Sequence, residues 1–252
     1  MRNLLFKIAF EGSKFHGWQQ QENAVTVQGE LKSAFLRLTG EDVNIIGCSR
    51  TDAGVHANEY FFSVKTESTI PCESFPVALA SSKLPGEISV VSCEQVNDDF
   101  NARFDSMKKE YIYIFENSDI PSPFNYKRVC HYKYPMNEKI MNDAAQYFLG
   151  EHDFSAFCAT GAQVVSKVRT IYSASVERKG DLVIFRVCGN GFLYNMVRIM
   201  AGTLLYVSMG KIDKDNIPDI INSRNRVNAG ITAEPDGLYL NKVYFSGEEN
   251  EG

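Results

Sequence analysis

The sequence lacks the cysteine patterns that mark metal-binding and disulfide-linked proteins. Its 6 cysteines are scattered over 252 residues, no two of them form a Cys-x-x-Cys pair, and none of the 4 histidines stands at metal-ligand spacing. This argues against both a zinc site and a disulfide scaffold. We therefore expect no metal, and buried thiols in a reducing compartment.

A long apolar segment is also missing. The longest candidate, residues 193–209, is interrupted by Asn195, Arg198 and Gly202, so it does not match a membrane span. The strand-like stretch 3–10 is too short for the apolar part of a signal peptide. The sequence therefore predicts a soluble protein of the cytoplasm.

Positive charge is not in excess, since 26 basic and 31 acidic residues give a net charge of -5. Proteins that bind nucleic acid usually show a basic footprint, so the whole-chain charge argues weakly against such a partner. Residues 164–206 differ, because they hold 6 basic side chains against only Glu177 and Asp181. This segment predicts either a basic cleft or a solvated surface, and charge counting alone favours the surface.

Hydrophobic periodicity divides the chain into helices and strands. We expect strands at 3–10, 44–47, 60–65, 88–96, 109–116, 129–134, 170–178, 182–188 and 238–245, and helices at 27–38, 73–82, 137–149, 193–209 and 213–222. Antiparallel signals, such as a hairpin turn at 179–181, favour an α+β fold over a doubly wound sheet. We place one α+β half at residues 1–105 and a second at 106–252.

Asp52 is the first candidate for a catalytic residue. It lies in the loop after a short strand, with Arg50 before it and Gly54 after it. A neighbouring guanidinium favours the ionised carboxylate, which suits a nucleophile or a base. Glycine lets the backbone approach a ligand closely. The alternative is an ordinary turn with a surface ion pair, and the residues alone leave both open.

Arg198 is the second candidate, because it interrupts an otherwise apolar helix. A charge there needs a partner, since an unpaired buried charge costs several kcal/mol. Arg198 therefore either pairs with a catalytic carboxylate or a phosphate, or lays its stem on the surface and extends its head into water.

Aromatic side chains form a third group of candidates. Tyr111 and Tyr113 are two positions apart on a predicted strand and face the same side, with Lys108 and Lys109 just before them. Rings beside lysines stack on nucleic-acid bases, although tyrosines on strands also pack against helices. The single tryptophan, Trp18, either contacts RNA or fills the edge of a core.

Six segments of the chain resemble, in order, the tRNA pseudouridine synthase A family. The most specific is the run RTDAGVHA at 50–57, which is similar to the family signature. The others are residues 15–19, 101–113, 151–157, 189–204 and 235–240. Ser49 departs from the pattern, where glycine is expected, and this affects the backbone next to Arg50 but not the carboxylate of Asp52.

The resemblance implies an isomerase that converts uridine to pseudouridine in the tRNA anticodon stem-loop, at positions 38–40. Asp52 would be its nucleophile and Arg198 the ionic partner of Asp52. The reaction breaks an N-glycosidic bond, turns the base and forms a C–C bond without oxidation, so no cofactor or metal is expected.

The resemblance also implies how the substrate is held. Tyr111 would stack on the uracil ring, Leu240 would line the apolar wall of the pocket, and Arg50 and His56 would help to displace the target base. The family fold consists of two α+β halves, each resembling an RNA-recognition module, related by a pseudo-twofold axis with the active-site cleft between them. Family members act as homodimers, so the expected partners are tRNA and a second copy of the chain.

Three alternatives remain open. A paralogue with the same chemistry would act on another RNA or on other tRNA positions. A catalytically silent RNA-binding protein would not need Asp52, Tyr111 and Arg198 together, which argues against it. A glycosidase would need a second carboxylate about 5–10 Å from the first, and no second candidate stands out.

Overall fold

The computed structural model describes residues 1–161 and 165–246. Within them the chain forms ten strands, which are β1 (Arg2–Phe10), β2 (Ile45–Gly47), β3 (His56–Thr66), β4 (Ile88–Val96), β5 (Ser106–Glu116), β6 (Cys130–His131), β7 (Gly150–Asp153), β8 (Val168–Lys179), β9 (Leu182–Gly189) and β10 (Leu238–Phe245). The α-helices of this part of the chain are α1 (Val27–Thr39), α2 (Phe75–Ser81), α3 (Glu138–Gln146), α4 (Met196–Ser208) and α5 (Ile217–Ser223). None of these helices is long and apolar enough to cross a membrane.

The chain divides into two compact units. One comprises Met1–Met107 and the chain from Leu240 onward, and the other comprises Lys108–Tyr239. The division predicted after residue 105 assigns the last strand to the second half, whereas the unit boundary at Leu240 falls within β10. Local periodicity reveals a strand but not its neighbours, so the unit to which β10 belongs depends on long-range pairing.

In the first unit, the strands are ordered β4-β1-β3-β10, and β2 also pairs with β3. Strand β1 is antiparallel to both of its neighbours. The core of this unit is aromatic: Phe6 of β1 stacks on Phe62 of β3 at 4.9 Å between ring centres. The rings of Phe35 from α1 and Phe75 from α2 meet Phe6 edge-on, so this cluster joins both helices to the sheet.

Helix α1 shows how local sequence sets the boundaries of an element. The side chain of Thr26 accepts a hydrogen bond from the N–H of Gly29, which caps the first turn. Gly40 ends the helix with a φ of 77°, in the left-handed conformation that favours glycine. The predicted helix and its stop at Gly40 are confirmed.

In the second unit, the strand order is β5-β9-β8-β7, with antiparallel pairing throughout this path, and the short β6 runs parallel to β5. Gly180, with a φ of 60°, closes the hairpin between β8 and β9, as predicted. Helix α4 is the central helix of this unit, because 10 of its 13 residues are buried. Helix α3 packs against both β8 and α4.

The prediction of a mixed fold of helices and a large sheet is confirmed, whereas equivalence of two halves under a pseudo-twofold axis stays a prediction. The strand predicted at 129–134 is wrong for most of its length, since only Cys130–His131 pairs with a neighbour. Strand β7 was not predicted, because its sequence GEHD contains no apolar alternation.

Candidate active site

Asp52 lies in the loop that connects β2 to β3 in the first unit. Its side chain is half-buried, whereas Thr51 before it is buried and Arg50 is exposed. Burial thus changes along the loop, since Thr51 and Val55 are buried whereas Ala53 is exposed.

The segment at residues 12–18 holds the Asp52 loop by backbone hydrogen bonds. The N–H of Trp18 donates to the carbonyl of Thr51 at 3.1 Å, and the N–H of Gly54 donates to the carbonyl of Phe15 at 3.2 Å. The two backbones are so close that a Cβ at Gly17 would lie 2.5 Å from the Thr51 carbonyl oxygen. The loop is therefore a fixed part of the unit on both sides of Asp52.

His56, the first residue of β3, is part of the same support. It is 1% exposed, and its Nδ1 accepts a hydrogen bond of 2.9 Å from the N–H of Gly12. An Nδ1 that accepts from a backbone N–H carries no proton, so this contact selects the tautomer protonated at Nε2. Glu11 Oε1 lies 3.4 Å from the same Nδ1. His56 therefore packs within the loop support, and its predicted contact with the substrate stays a prediction.

Trp18 fills a core position beneath the loop. It is 2% exposed, and its ring stacks on that of Tyr60 at 4.1 Å with an interplanar angle of 27°. The hydroxyl of Tyr60 donates to the carbonyl of Ser49, next to Arg50. A Cβ at Gly47 would lie 2.2 Å from the Tyr60 hydroxyl oxygen, so glycine is required there. Of the two interpretations of Trp18, the structure supports core packing.

Arg198 lies in the first turn of α4 in the second unit, and two hydrogen bonds orient its guanidinium. Its Nε donates to the carbonyl of Ala233 at 2.7 Å, and its Nη1 donates to Oδ1 of Asn195 at 2.8 Å. Asn195 is the N-cap residue of α4 and has a left-handed backbone with a φ of 59°. Arg198 is thus neither a loose surface side chain nor an isolated buried charge.

The close packing of α4 against residues 230–233 places the Ala233 carbonyl. A Cβ at Gly202 would lie 2.0 Å from the carbonyl oxygen of Ile231, which leaves room only for glycine. The N–H of Gly230 donates to Oγ1 of Thr203 at 2.9 Å, and the N–H of Ala233 donates to the carbonyl of Arg198 at 3.1 Å. The segment that accepts from Arg198 is therefore itself held by the helix that carries Arg198.

Tyr111 and Tyr113 lie two positions apart on β5, as predicted, and both are buried. The ring of Tyr111 meets that of Phe192 edge-on at 5.1 Å. The hydroxyl of Tyr113 donates to the carbonyl of Glu234 at 2.7 Å, and burial raises the pKa of Tyr113 well above its usual value. Tyr113 therefore has a structural role, next to the carbonyl that Arg198 uses.

A basic cleft and a solvated surface were the two interpretations of residues 164–206, and ion pairs with acids from other segments neutralise part of this charge. Arg178 pairs with Glu138 at 3.0 Å, and Arg186 pairs with Glu110 at 2.6 Å. Both acids lie outside the segment whose charges were counted, so the local excess of positive charge overstates the net charge of this part of the surface.

The structure places the predicted site residues in both units. Asp52, Arg50, His56 and Leu240 belong to the first unit, and Leu240 is fully buried there. Tyr111 and Arg198 belong to the second. The sequence analysis did not predict the supporting contacts of Asn195, Ala233 and Gly12. Ala233 and Gly12 make theirs through the main chain, so the side-chain type at these positions does not reveal them.

Comparison with known proteins gives a consistent result. The model of the tRNA pseudouridine synthase family matches residues 7–105 and 144–246. Proteins named tRNA pseudouridine synthase A from Thermoanaerobacter sp. (strain X514) and Acetivibrio thermocellus are each 46% identical over 97% of this chain and 100% of their own length. One of the same name from Caldicellulosiruptor saccharolyticus is 43% identical over the same shares. The matched ranges include Asp52 and Arg198, whereas residues 106–143 lie between them.

Proposed function

The chain belongs to the tRNA pseudouridine synthase family, and we propose that Asp52 is the nucleophile with which it isomerises uridine to pseudouridine in tRNA. The family match and the named relatives support the class of reaction, which is an isomerisation with tRNA as substrate. The observation that supports Asp52 is its half-buried side chain on a loop whose backbone is bonded to residues 15–18 on both sides.

The chemistry requires what such a loop provides. The N-glycosidic bond of uridine breaks, the uracil turns, and C5 of the base bonds to the same sugar carbon, with the C5 proton lost and a proton gained at N1. A carboxylate that forms a transient covalent adduct divides this change into two easier steps. A fixed loop keeps the carboxylate oriented while the base turns, so less entropy is lost at the transition state.

Arg198 is proposed as the ionic partner of Asp52. An arginine guanidinium carries five N–H donors in a rigid plane, and the bonds to Asn195 and Ala233 orient that plane. A planar fork held in this way suits a carboxylate, which accepts two parallel hydrogen bonds. The pairing would keep Asp52 ionised at neutral pH.

The remaining roles follow from the family resemblance. Tyr111 would hold the uracil, and Leu240 would contribute to the apolar wall of the pocket. Arg50, which is exposed, suits contact with the RNA as the base leaves its stem. Extraction of a paired uridine costs a few kcal/mol of stacking and pairing, which pocket contacts offset. Buried His56 suits support of the loop better than direct contact.

The finer parts of the proposal concern site and assembly. We propose that the target uridines lie in the anticodon stem-loop at positions 38–40. A homodimer acting in the cytoplasm, with two equivalent RNA-recognition-like halves in each chain, belongs to the same proposal.

The decisive experiment maps pseudouridine in tRNA transcripts incubated with wild-type protein, Asp52→Ala and Asp52→Asn. We expect pseudouridine at positions 38–40 with wild type only, while both variants still bind tRNA. Transcripts with cytidine at these positions test the choice of site. Full activity of either variant would overturn the role of Asp52, and modification elsewhere would favour the paralogue on another site.

A further inference from the structure

The loop between β5 and α3 presents large apolar side chains to solvent. We call residues 118–134 the aromatic–basic loop. Its exposed large apolar residues are Phe124 at 84%, Ile120 at 81%, Tyr126 at 74% and Tyr134 at 58%. Burial of such groups is favourable by about 25 cal/mol per Å², so an exposed cluster of them is a feature of binding surfaces.

Cations alternate with these rings. Lys127, Arg128 and Lys133 are exposed, and none of them takes part in an ion pair among the described residues. The Nζ atoms of Lys127 and Lys133 lie 5.8 and 5.1 Å from the ring centres of Tyr126 and Tyr134. The loop holds three basic side chains against one acid, Asp119, in a chain with a net charge of -5.

Hydrogen bonds to residues of β5 and β10 hold the loop in place. Glu116 is 5% exposed, and its carboxylate accepts hydrogen bonds from the N–H of Ser122 at 3.1 Å and from Nδ2 of Asn125 at 2.8 Å. The hydroxyl of Tyr239 donates to the carbonyl of Arg128 at 2.5 Å. A surface ordered before binding loses little conformational entropy when a partner arrives.

We propose that the aromatic–basic loop is an RNA-contact surface, which binds tRNA phosphates through Lys127, Arg128 and Lys133. The rings of Phe124 and Tyr126 stack on an unpaired base or lie against ribose. This inference rests on tRNA being the substrate. The loop lies within residues 106–143, between the two ranges matched by the family model.

Charge complementarity favours RNA over a protein partner. Rings alternating with cations are the arrangement that proteins use for single-stranded nucleic acid, because rings stack on bases while cations follow the backbone. The basic side chains of 164–206 are less suited to this role, since Arg178 and Arg186 pair with acids. The loop is therefore an exposed cationic surface whose charge is not neutralised by neighbours among the described residues.

The first test removes charge. The triple variant Lys127→Asn, Arg128→Gln, Lys133→Gln is compared with wild type by fluorescence anisotropy of labelled tRNA over a range of salt concentrations. Loss of three phosphate contacts should lower the slope of log Kd against log salt by about 2 to 3. Lys127 has a left-handed φ of 58°, and asparagine replaces it because asparagine tolerates this conformation. Lys83→Asn is the matched control, an exposed lysine with a φ of 61° in the other unit.

The second test removes the rings. Phe124→Ala and Tyr126→Ala should each raise the Kd for tRNA by about 5- to 150-fold, the range found for loss of one base stack. Tyr126→Phe retains the ring and should bind like wild type, whereas Phe124→Leu retains apolar bulk without a stacking face and should bind weakly. At saturating tRNA, kcat should stay at the wild-type value in all of them, so the loss appears in KM.

The outcomes separate this inference from the catalytic proposal. Unchanged Kd and salt slope in the triple and alanine variants would overturn the RNA-contact surface, even if wild type makes pseudouridine. A switch from dimer to monomer in sedimentation, with monomer affinity for tRNA unchanged, would also overturn it and assign the loop to a second copy of the chain. Conversely, wild type that binds tRNA through this loop without forming pseudouridine would refute the catalytic proposal alone. Melting temperatures confirm that each variant is folded.

Discussion

The side chain of Asn195 holds the guanidinium of Arg198, with 2.8 Å between Oδ1 of the asparagine and Nη1 of the arginine. The same residue has a left-handed φ of 59° and precedes the first turn of α4. Asparagine is among the few residues that adopt this conformation readily, because its short polar side chain bonds locally. One residue thus contributes both to the start of the helix and to the orientation of the guanidinium.

Substitution of Asn195 can separate these two roles. Asn195→Gly retains the left-handed backbone but removes the acceptor, so stability should change by less than about 1 kcal/mol. The guanidinium would then keep its bond to the Ala233 carbonyl but lose the bond that fixes Nη1, and kcat should fall by up to about 100-fold, the effect of a misplaced catalytic group. Single-turnover kinetics and urea unfolding measure the two effects. Asn195→Ala should in addition lose about 1–2 kcal/mol of stability, because alanine resists a left-handed φ. Wild-type kcat in the glycine variant would refute the positioning role.

Gly17 should be needed for activity as well as for stability. An alanine there would be strained by the φ of 86° and would also lie 2.5 Å from the Thr51 carbonyl oxygen, next to Asp52. Gly40→Ala is the matched control, since Gly40 has a φ of 77° but open space around a Cβ. Gly40→Ala should lose about 1–2 kcal/mol of stability from its strained φ alone, and Gly17→Ala should lose more because of the additional overlap. Only Gly17→Ala should lower kcat for pseudouridine formation, and an equal loss of activity in both would contradict a specific contact with the loop.

Two substitutions of His56 distinguish a role in supporting the Asp52 loop from a role in contacting the target base. Asn Oδ1 occupies nearly the position of His Nδ1, so His56→Asn retains an acceptor for the N–H of Gly12, whereas His56→Leu leaves that buried N–H without one. If support is the role, the asparagine variant should retain most activity and the leucine variant should lose about 1–3 kcal/mol of stability. Thermal unfolding and initial rates on tRNA measure both. Equal loss of activity in the two variants, with stability preserved, would favour direct action on the substrate.

Asp153 should contribute stability that depends on pH. Its pKa is lowered, first by the hydrogen bond from the Ser155 hydroxyl at 2.6 Å and further by the backbone N–H of Ser155 and by Arg224. A group whose pKa is lowered by folding stabilises the protein above its unfolded pKa, and this contribution is lost as the pH falls through the folded value. Asp153→Asn should therefore cost about 1 kcal/mol near neutral pH and much less in acid.

Urea unfolding at neutral and acid pH measures this difference for Asp153→Asn. The exposed Asp99 supplies the matched control, since Asp99→Asn removes the same charge. The loss of stability should change with pH for Asp153→Asn but not for the control. A cost for Asp153→Asn that does not change with pH would show that the carboxylate acts through shape and not through charge.

Strands with strong apolar alternation could be predicted from the sequence. Strand β4 agrees with its predicted range of 88–96, and β10 agrees with 238–245. Strand β7 could not be predicted, because Gly150–Asp153 is polar and becomes a strand by pairing with the edge of β8. Its conformation is determined by pairing with β8, the next strand along the chain, and not by its own residues.

The same limit applies to the candidate site. The motif at residues 50–57 identified Asp52, and an arginine in an apolar helix drew attention to Arg198. The contacts that hold these side chains could not be predicted from the sequence. The Ala233 carbonyl is 35 positions from Arg198, and the partner of Arg186 is Glu110 from another strand. Such contacts depend on how segments meet, so charge counts within one segment overestimate the exposed charge.

The stack of Trp18 on Tyr60 has an optical consequence. Trp18 is the single tryptophan of the chain, so its emission comes from one known environment. The indole is 2% exposed, and the N–H of its own residue is bonded to Thr51, next to Asp52. Intrinsic fluorescence is therefore a label-free reporter of the Asp52 loop, and quenching or a spectral shift on addition of tRNA would time the arrival of substrate at that loop.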